Sequence, residues 1–120
     1  MKAFAALAFL AVAATAVAPA HAGSVLRTPP LLASTADVDC VVLQSVDENS
    51  SATARLRNGT GAVVDGGTPY PVYLGVNTAA AANNVSGYFY CEFEGLAKTM
   101  RGYISLEDAG QTVLMLPATR

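Results

Sequence analysis

The sequence is poorest in the residues that do chemistry. Its 120 residues contain one histidine, His21, no tryptophan, two cysteines and two lysines, of which only Lys98 lies beyond residue 22. With histidine confined to position 21, the rest of the chain lacks the usual general base, the Ser–His–Asp arrangement and any His-based metal site. No Cys-x-x-Cys motif occurs, so a dithiol redox centre is excluded. Gly59-Thr60-Gly61 and Gly66-Gly67 are followed by no phosphate-binding lysine and read as turn glycines. Charge is also scarce, at 13% of residues with a net of −2. There is no basic run, which argues against nucleic acid or an anionic membrane surface as partner. The length allows one domain.

What is present divides at Ala22. Lys2 gives a short positive start, residues 3–18 form an almost unbroken alanine-rich apolar run, Pro19 breaks it, and Ala20-His21-Ala22 supplies a small-x-small cleavage site. This is the pattern of a cleaved signal peptide over 1–22, and its run is short of the ~20 residues that span a bilayer. Residues 23–120 then carry six Lys or Arg against nine Asp or Glu, and no histidine. The expected location is secreted or periplasmic, in a bacterium, with no membrane attachment after cleavage.

Export places Cys40 and Cys91 in an oxidising compartment, where the single available pairing is a structural disulfide. Residues 23–36 read as an extended lead-in, because Pro29-Pro30 forbids a helix. From residue 37 to 120, β-branched and aromatic residues alternate with polar ones, with turn clusters between them. The candidate strands are 38–46, 52–58, 62–65, 70–77, 85–94, 99–107 and 112–118, with 78–84 as a loop. The expected fold is all-β. In outline it resembles an immunoglobulin-like Greek-key β-sandwich of about seven strands with one disulfide between its sheets. The resemblance stops at the fold: no tryptophan is available for the core, and Phe89 stands two residues before Cys91 where a corner tyrosine would stand. A small up-and-down barrel is the alternative.

Residues 85–94 and 99–107 read as a hairpin around Gly95. Val85, Gly87, Phe89, Cys91 and Phe93 share one face and Met100, Gly102, Ile104 and Leu106 another, both apolar or small and so turned to the core. The register that follows sets Glu92 opposite Arg101 as a cross-strand ion pair, and Tyr90 opposite Tyr103. Residues 113–116 are apolar on both faces and need cover on both. The lead-in is the expected cover, which favours a monomer over a homodimer.

Four sets of residues bear on chemistry or binding. Glu92 and Glu94 stand two residues apart on one strand, about 6–7 Å, a spacing compatible with glycoside hydrolysis. An open sheet face without a cleft makes them solvated charges instead. Asp37, Asp39, Asp47, Glu48 and Asp65 follow no calcium-loop pattern and read as solvated too. Asn49, Asn58 and Asn84 begin Asn-x-Ser/Thr triplets beside turns, expected to be unmodified in a bacterial chain. Tyr73, Tyr88, Tyr90 and Tyr103 are expected to cluster on one outward face, giving flat rings with polar tips suited to a protein or carbohydrate surface. The expectation is therefore a small binding or structural module, not an enzyme, needing no cofactor or metal. The alternative is a secreted enzyme inhibitor or effector whose reactive element is a stiff loop over 66–71.

Overall fold

A computed structural model of the chain describes residues 24–120. Residues 1–22, read above as a signal peptide, lie outside the described residues. Seven strands run β1 (Val25–Arg27), β2 (Leu31–Gln44), β3 (Ser50–Asn58), β4 (Val63–Val72), β5 (Gly75–Glu94), β6 (Met100–Asp108) and β7 (Gln111–Pro117). All pairings are antiparallel. The sheet order is β4-β3-β5-β2-β6-β7, and β1 pairs with β5 as well.

The fold is organised by a ribbon of two long strands. β2 and β5 are paired from Leu31↔Phe89 to Gln44↔Gly75, with register breaks between Ala33 and Ala36, between Ala36 and Val38, and between Cys40 and Val41. Thr35 (φ 51°) and Asn84 (φ 60°) sit in the left-handed region near the first two breaks, where the ribbon bends. The in-register partner of Cys40 is Ala80, eleven residues short of Cys91. At about 3.3 Å per residue a straight ribbon would hold the two cysteines some ~35 Å apart. They are bonded, with 5.7 Å between their Cα atoms. The ribbon is therefore folded over, and one continuous sheet makes both layers of a sandwich.

One layer contains the start of β5, the end of β2, β6 and β7. The other contains β4, β3, the end of β5 and β1. Two seams bring the layers together at their margins. Arg27 and Thr119 exchange backbone hydrogen bonds of 2.9 Å each way. The Asp65 carboxylate of β4 accepts the Ala81 N–H of β5 at 2.8 Å. The core between the layers takes Val38, Cys40 and Val42 from β2, Ala52, Ala54 and Leu56 from β3, Phe89, Cys91 and Phe93 from β5, and Met100 and Ile104 from β6. Alternation along each strand selects these residues, since successive side chains face opposite ways. Gly102 is required by the packing: a Cβ there would stand 2.7 Å from the Phe93 ring.

The all-β sandwich of seven strands with a disulfide between its layers is observed, but several strands differ from expectation. The 78–84 segment is strand, because β2 supplies hydrogen-bond partners that outweigh the helix preference of its alanines. Residues 66–67 are a bulge inside β4, not a turn. The lead-in is built into the sheet as β1 and the first residues of β2, with Leu31 and Ala33 in the core. It does not cover β7, whose Val113, Leu114 and Met115 remain 58%, 40% and 46% exposed. Up-and-down connectivity is not observed, since β4 and β5 are separated by β3.

The expected hairpin of 85–94 with 99–107 does not form. β6 pairs with β2 and β7, and the end of β5 pairs with β3 and β1. Both inward faces were assigned correctly, but they meet across the core rather than along one sheet. Alternation fixes a strand's face and says nothing about which strand lies beside it.

Candidate binding groove beside Tyr88

The outward face at the end of β5 carries an ion-pair ladder. Glu92 is 7% exposed although it points away from the core. Arg27 Nε donates to its Oε2 at 2.8 Å and Arg57 Nε to its Oε1 at 3.0 Å. Arg55 Nη1 donates to Glu94 Oε1 at 3.0 Å. The β3 arginines reach diagonally, since Arg55 is the register partner of Glu92 and Arg57 that of Tyr90. Burial alone would raise the carboxyl pKa of Glu92, but the hydrogen bonds and charges of Arg57 and Arg27 prevail and hold it below its ordinary value. The expected Glu92–Arg101 pair is thus replaced. Arg101 lies on β6, where its guanidinium donates to the carbonyls of Lys98 and Met100 at 2.9 Å each. A general acid for glycoside cleavage needs a raised pKa. Glu92 has the opposite, and Glu94 is tied to its own arginine.

Arg57 extends this ladder into the β3–β4 turn. Its Nη1 donates to the Gly61 carbonyl at 2.7 Å. Within the turn the Asn58 side-chain oxygen accepts the N–H of Thr60 (3.0 Å), the Thr60 hydroxyl (2.7 Å) and the N–H of Ala62 (3.1 Å). Asparagine favours such turns because its short amide substitutes for a backbone acceptor. Gly59 passes over Tyr88 so closely that a Cβ on it would lie 3.4 Å from the Tyr88 Cβ. Between this turn and β5 opens a groove of about 400 Å³, lined by Thr60, Val64, Ala82, Val85, Ser86 and Tyr88. Ser86 at its rim accepts the Thr35 N–H at 2.8 Å. Leu32, the register partner of Tyr88, continues the apolar surface; the two are 59% and 57% exposed.

The four tyrosines do not form one face. Tyr88 and Tyr90 share a side of β5, with Tyr90 next to Arg57. Tyr103 lies on β6 between Val41 and Pro117. Tyr73 is in the β4–β5 turn, at the opposite end of β5 from Tyr88. The misassigned hairpin accounts for the difference, since Tyr103 reaches Tyr90 only if β5 and β6 pair. The groove beside Tyr88 was missed for the same reason. The Asn-Gly-Thr-Gly turn after β3 was visible in the sequence, but not that it closes over β5.

The acidic residues outside the ladder gather only around Asp39. Asp65 and Asp37 accept backbone N–H groups of Ala81 and Asn84. Asp37 and Glu107 are register partners, with Asp39 nearby. Partial burial, then the charges of Glu107 and Asp37, raise the Asp39 pKa above its ordinary value. Among the described residues no group of three His, Cys, Asp or Glu is placed to hold a metal ion. Lys98 is exposed in the β5–β6 loop. Residues 66–71 belong to β4, so the stiff reactive loop expected of an inhibitor is an edge strand instead.

These features define a class by architecture: a disulfide-locked β-sandwich made from one folded sheet. Comparison with protein-family models, curated proteins and solved structures finds no significant match to the chain.

Proposed function

We propose that this chain is a small bacterial binding or structural module, exported through the signal peptide at 1–22 and acting in the periplasm or outside the cell without catalysis of its own. The disulfide suits an oxidising compartment, and no helix among the described residues is long and apolar enough to cross a membrane. The observation that carries the binding role is the groove beside Tyr88. A well-exposed ring stands over a concave surface whose wall is braced, through Arg57, by a buried carboxylate. Rigid backing and an exposed aromatic platform are what a protein or carbohydrate surface needs for recognition at low entropic cost.

The test uses the exported, disulfide-intact protein. Binding is measured against a panel of neutral oligosaccharides and against proteins of the surrounding medium, for the native chain, Tyr88→Ser and Tyr73→Ser. Both variants are expected to keep the native unfolding midpoint, and only Tyr88→Ser to lose the retained ligand. Equal retention by all three chains, or no retained ligand, removes the groove from consideration.

A further inference from the structure

Among the described residues, one margin of the sheet has no strand beside it from Gln111 to Pro117; just past Pro117, Arg27 of β1 takes that side by pairing with Thr119. β7 pairs with β6 on one side only. Ala118 N donates to the Gly102 carbonyl at 2.8 Å, and the register runs unbroken from there through Tyr103↔Pro117, Ile104↔Leu116, Ser105↔Met115 and Leu106↔Leu114. Hydrogen-bonded pairs alternate in an antiparallel ladder. Leu116 and Leu114 therefore bond to β6, while Met115 directs its N–H and C=O to the open side. The strand Gln-Thr-Val-Leu-Met-Leu-Pro carries no charge and exposes Val113, Leu114 and Met115 together.

The charges lie at the two ends of the β6–β7 hairpin and differ in sign. Glu107 and Asp108 stand at its tip, and Lys98, Arg101 and Arg120 at its open end, where they line a groove of about 600 Å³. A second copy laid antiparallel against β7 puts each acidic tip beside the other copy's basic end. Parallel pairing would put like charges together.

The geometry points to a homodimer, formed by antiparallel β7–β7 pairing about a two-fold axis at Met115, which joins two sandwiches through one continuous sheet. At the axis the two Met115 residues exchange N–H···O=C bonds. Leu114 of each copy faces Leu116 of the other, and Val113 faces Pro117, which accepts a hydrogen bond but has none to donate; the pairing ends there, because Arg27 already holds the outer side of Thr119. The pairing is independent of the groove beside Tyr88, so failure of one leaves the other standing.

The test is the oligomeric state of the exported protein by sedimentation, with two variants of the edge. Met115→Pro removes an N–H that β6 does not use. Val113→Lys places a charge on the exposed strand. The native chain is expected to dimerise, more weakly as salt rises, and each variant to raise the dissociation constant at least ~tenfold while keeping the native unfolding midpoint at concentrations low enough that every chain is monomeric. Should Met115→Pro fail to fold, Val113→Lys decides. Met115→Cys brings its own position to a Cα separation of about 5.5 Å across the axis, within disulfide reach. It is expected to form a covalent dimer on a non-reducing gel, and Thr112→Cys is not. A native chain that stays monomeric near ~1 mM overturns the proposal. So does a dimer indifferent to both edge variants.

Discussion

The two ends of the strand order, β4 and β7, are both edges, and they are built to opposite rules. β4 has Pro69 and Pro71 at alternate positions, so two N–H groups are missing from its outer side. Gly66 and Gly67 bulge it, and the Asp65 carboxylate ties it to Ala81 of the other layer. β7 carries no charge and has one proline, Pro117; its one register shift lies at Val113, and Arg27 ties the chain just past its end at Thr119. Proline, bulges and charges are the usual means of keeping an edge from recruiting another strand. The difference is one of degree: β4 is interrupted along its middle by prolines, glycines and a charge, whereas β7 keeps an uncharged stretch from Val113 to Leu116 that is unpaired on its outer side among the described residues. In the proposed dimer β4 stays with solvent and β7 pairs with a second copy.

The largest expected effect tests whether the edges are held apart by the folded ribbon. Replacing Cys40 and Cys91 together by alanine opens a loop spanning 51 positions and is expected to lower stability by about 4 kcal/mol, read by denaturant unfolding. Next comes the protected edge itself. Gly66 adopts φ +89°, and a Cβ there would collide with the Ala54 carbonyl. Gly66→Ala is expected to cost about 2–3 kcal/mol, from forced backbone and lost β3–β4 register. The same measurement on Gly67→Ala isolates the collision, since that site has a positive φ but open space around it.

Glu92 anchors the β3–β4 hairpin through Arg57, and Glu92→Gln is expected to cost about 2 kcal/mol at neutral pH by weakening two charge-assisted hydrogen bonds at a nearly buried site. Its pKa in the folded chain lies below the ordinary 4.5. The folded state therefore binds its proton less readily than the unfolded state. The stabilisation is complete above that ordinary value and is lost as pH falls through the lower folded one. Asp39 has the reverse sign: its folded pKa is raised, so its ionised form opposes folding at neutral pH and the penalty fades on acidification. Urea unfolding from pH 7 to pH 3 should show a steeper acid loss for the native chain than for Glu92→Gln, and a small gain at pH 7 for Asp39→Asn. The smallest expected effect on stability sharpens the comparison most. Pro69→Val with Pro71→Val restores two N–H groups to the β4 edge, changes stability by less than ~0.5 kcal/mol, and gives a chain that associates beyond a dimer in sedimentation.

Much of the candidate site was legible one strand at a time. The inward sets Phe89–Cys91–Phe93 and Met100–Gly102–Ile104 follow from alternation alone, as does the outward direction of Tyr88, Tyr90 and Glu92. Neighbours were not legible. Glu92 had an arginine opposite it in the expected hairpin and has two in the structure, neither of them Arg101. With six Lys or Arg after residue 22, several registers offer a plausible partner, and cross-strand pairs of ~0.2–1 kcal/mol are too weak to choose among them. The lead-in illustrates the same limit. Its prolines excluded a helix correctly, but Leu31 and Leu32 divide between core and solvent only because β5 lies beside them.

The sequence by itself determined that the domain is β, that its two cysteines pair, which face of each strand meets the core, and that the usual catalytic base is missing after residue 22. These are local properties, set by side-chain period, backbone restriction and composition. Only the tertiary structure decided that β2 and β5 form one ribbon folded over itself, that arginines from β1 and β3 enclose Glu92, that the Asn58 turn closes over Tyr88, and that β7, among the described residues, has a single strand neighbour. The physical reason is that strand pairing is a contest among distant segments offering nearly equivalent backbone hydrogen bonds. It is settled by how the whole core packs around Phe93, Gly102 and the disulfide.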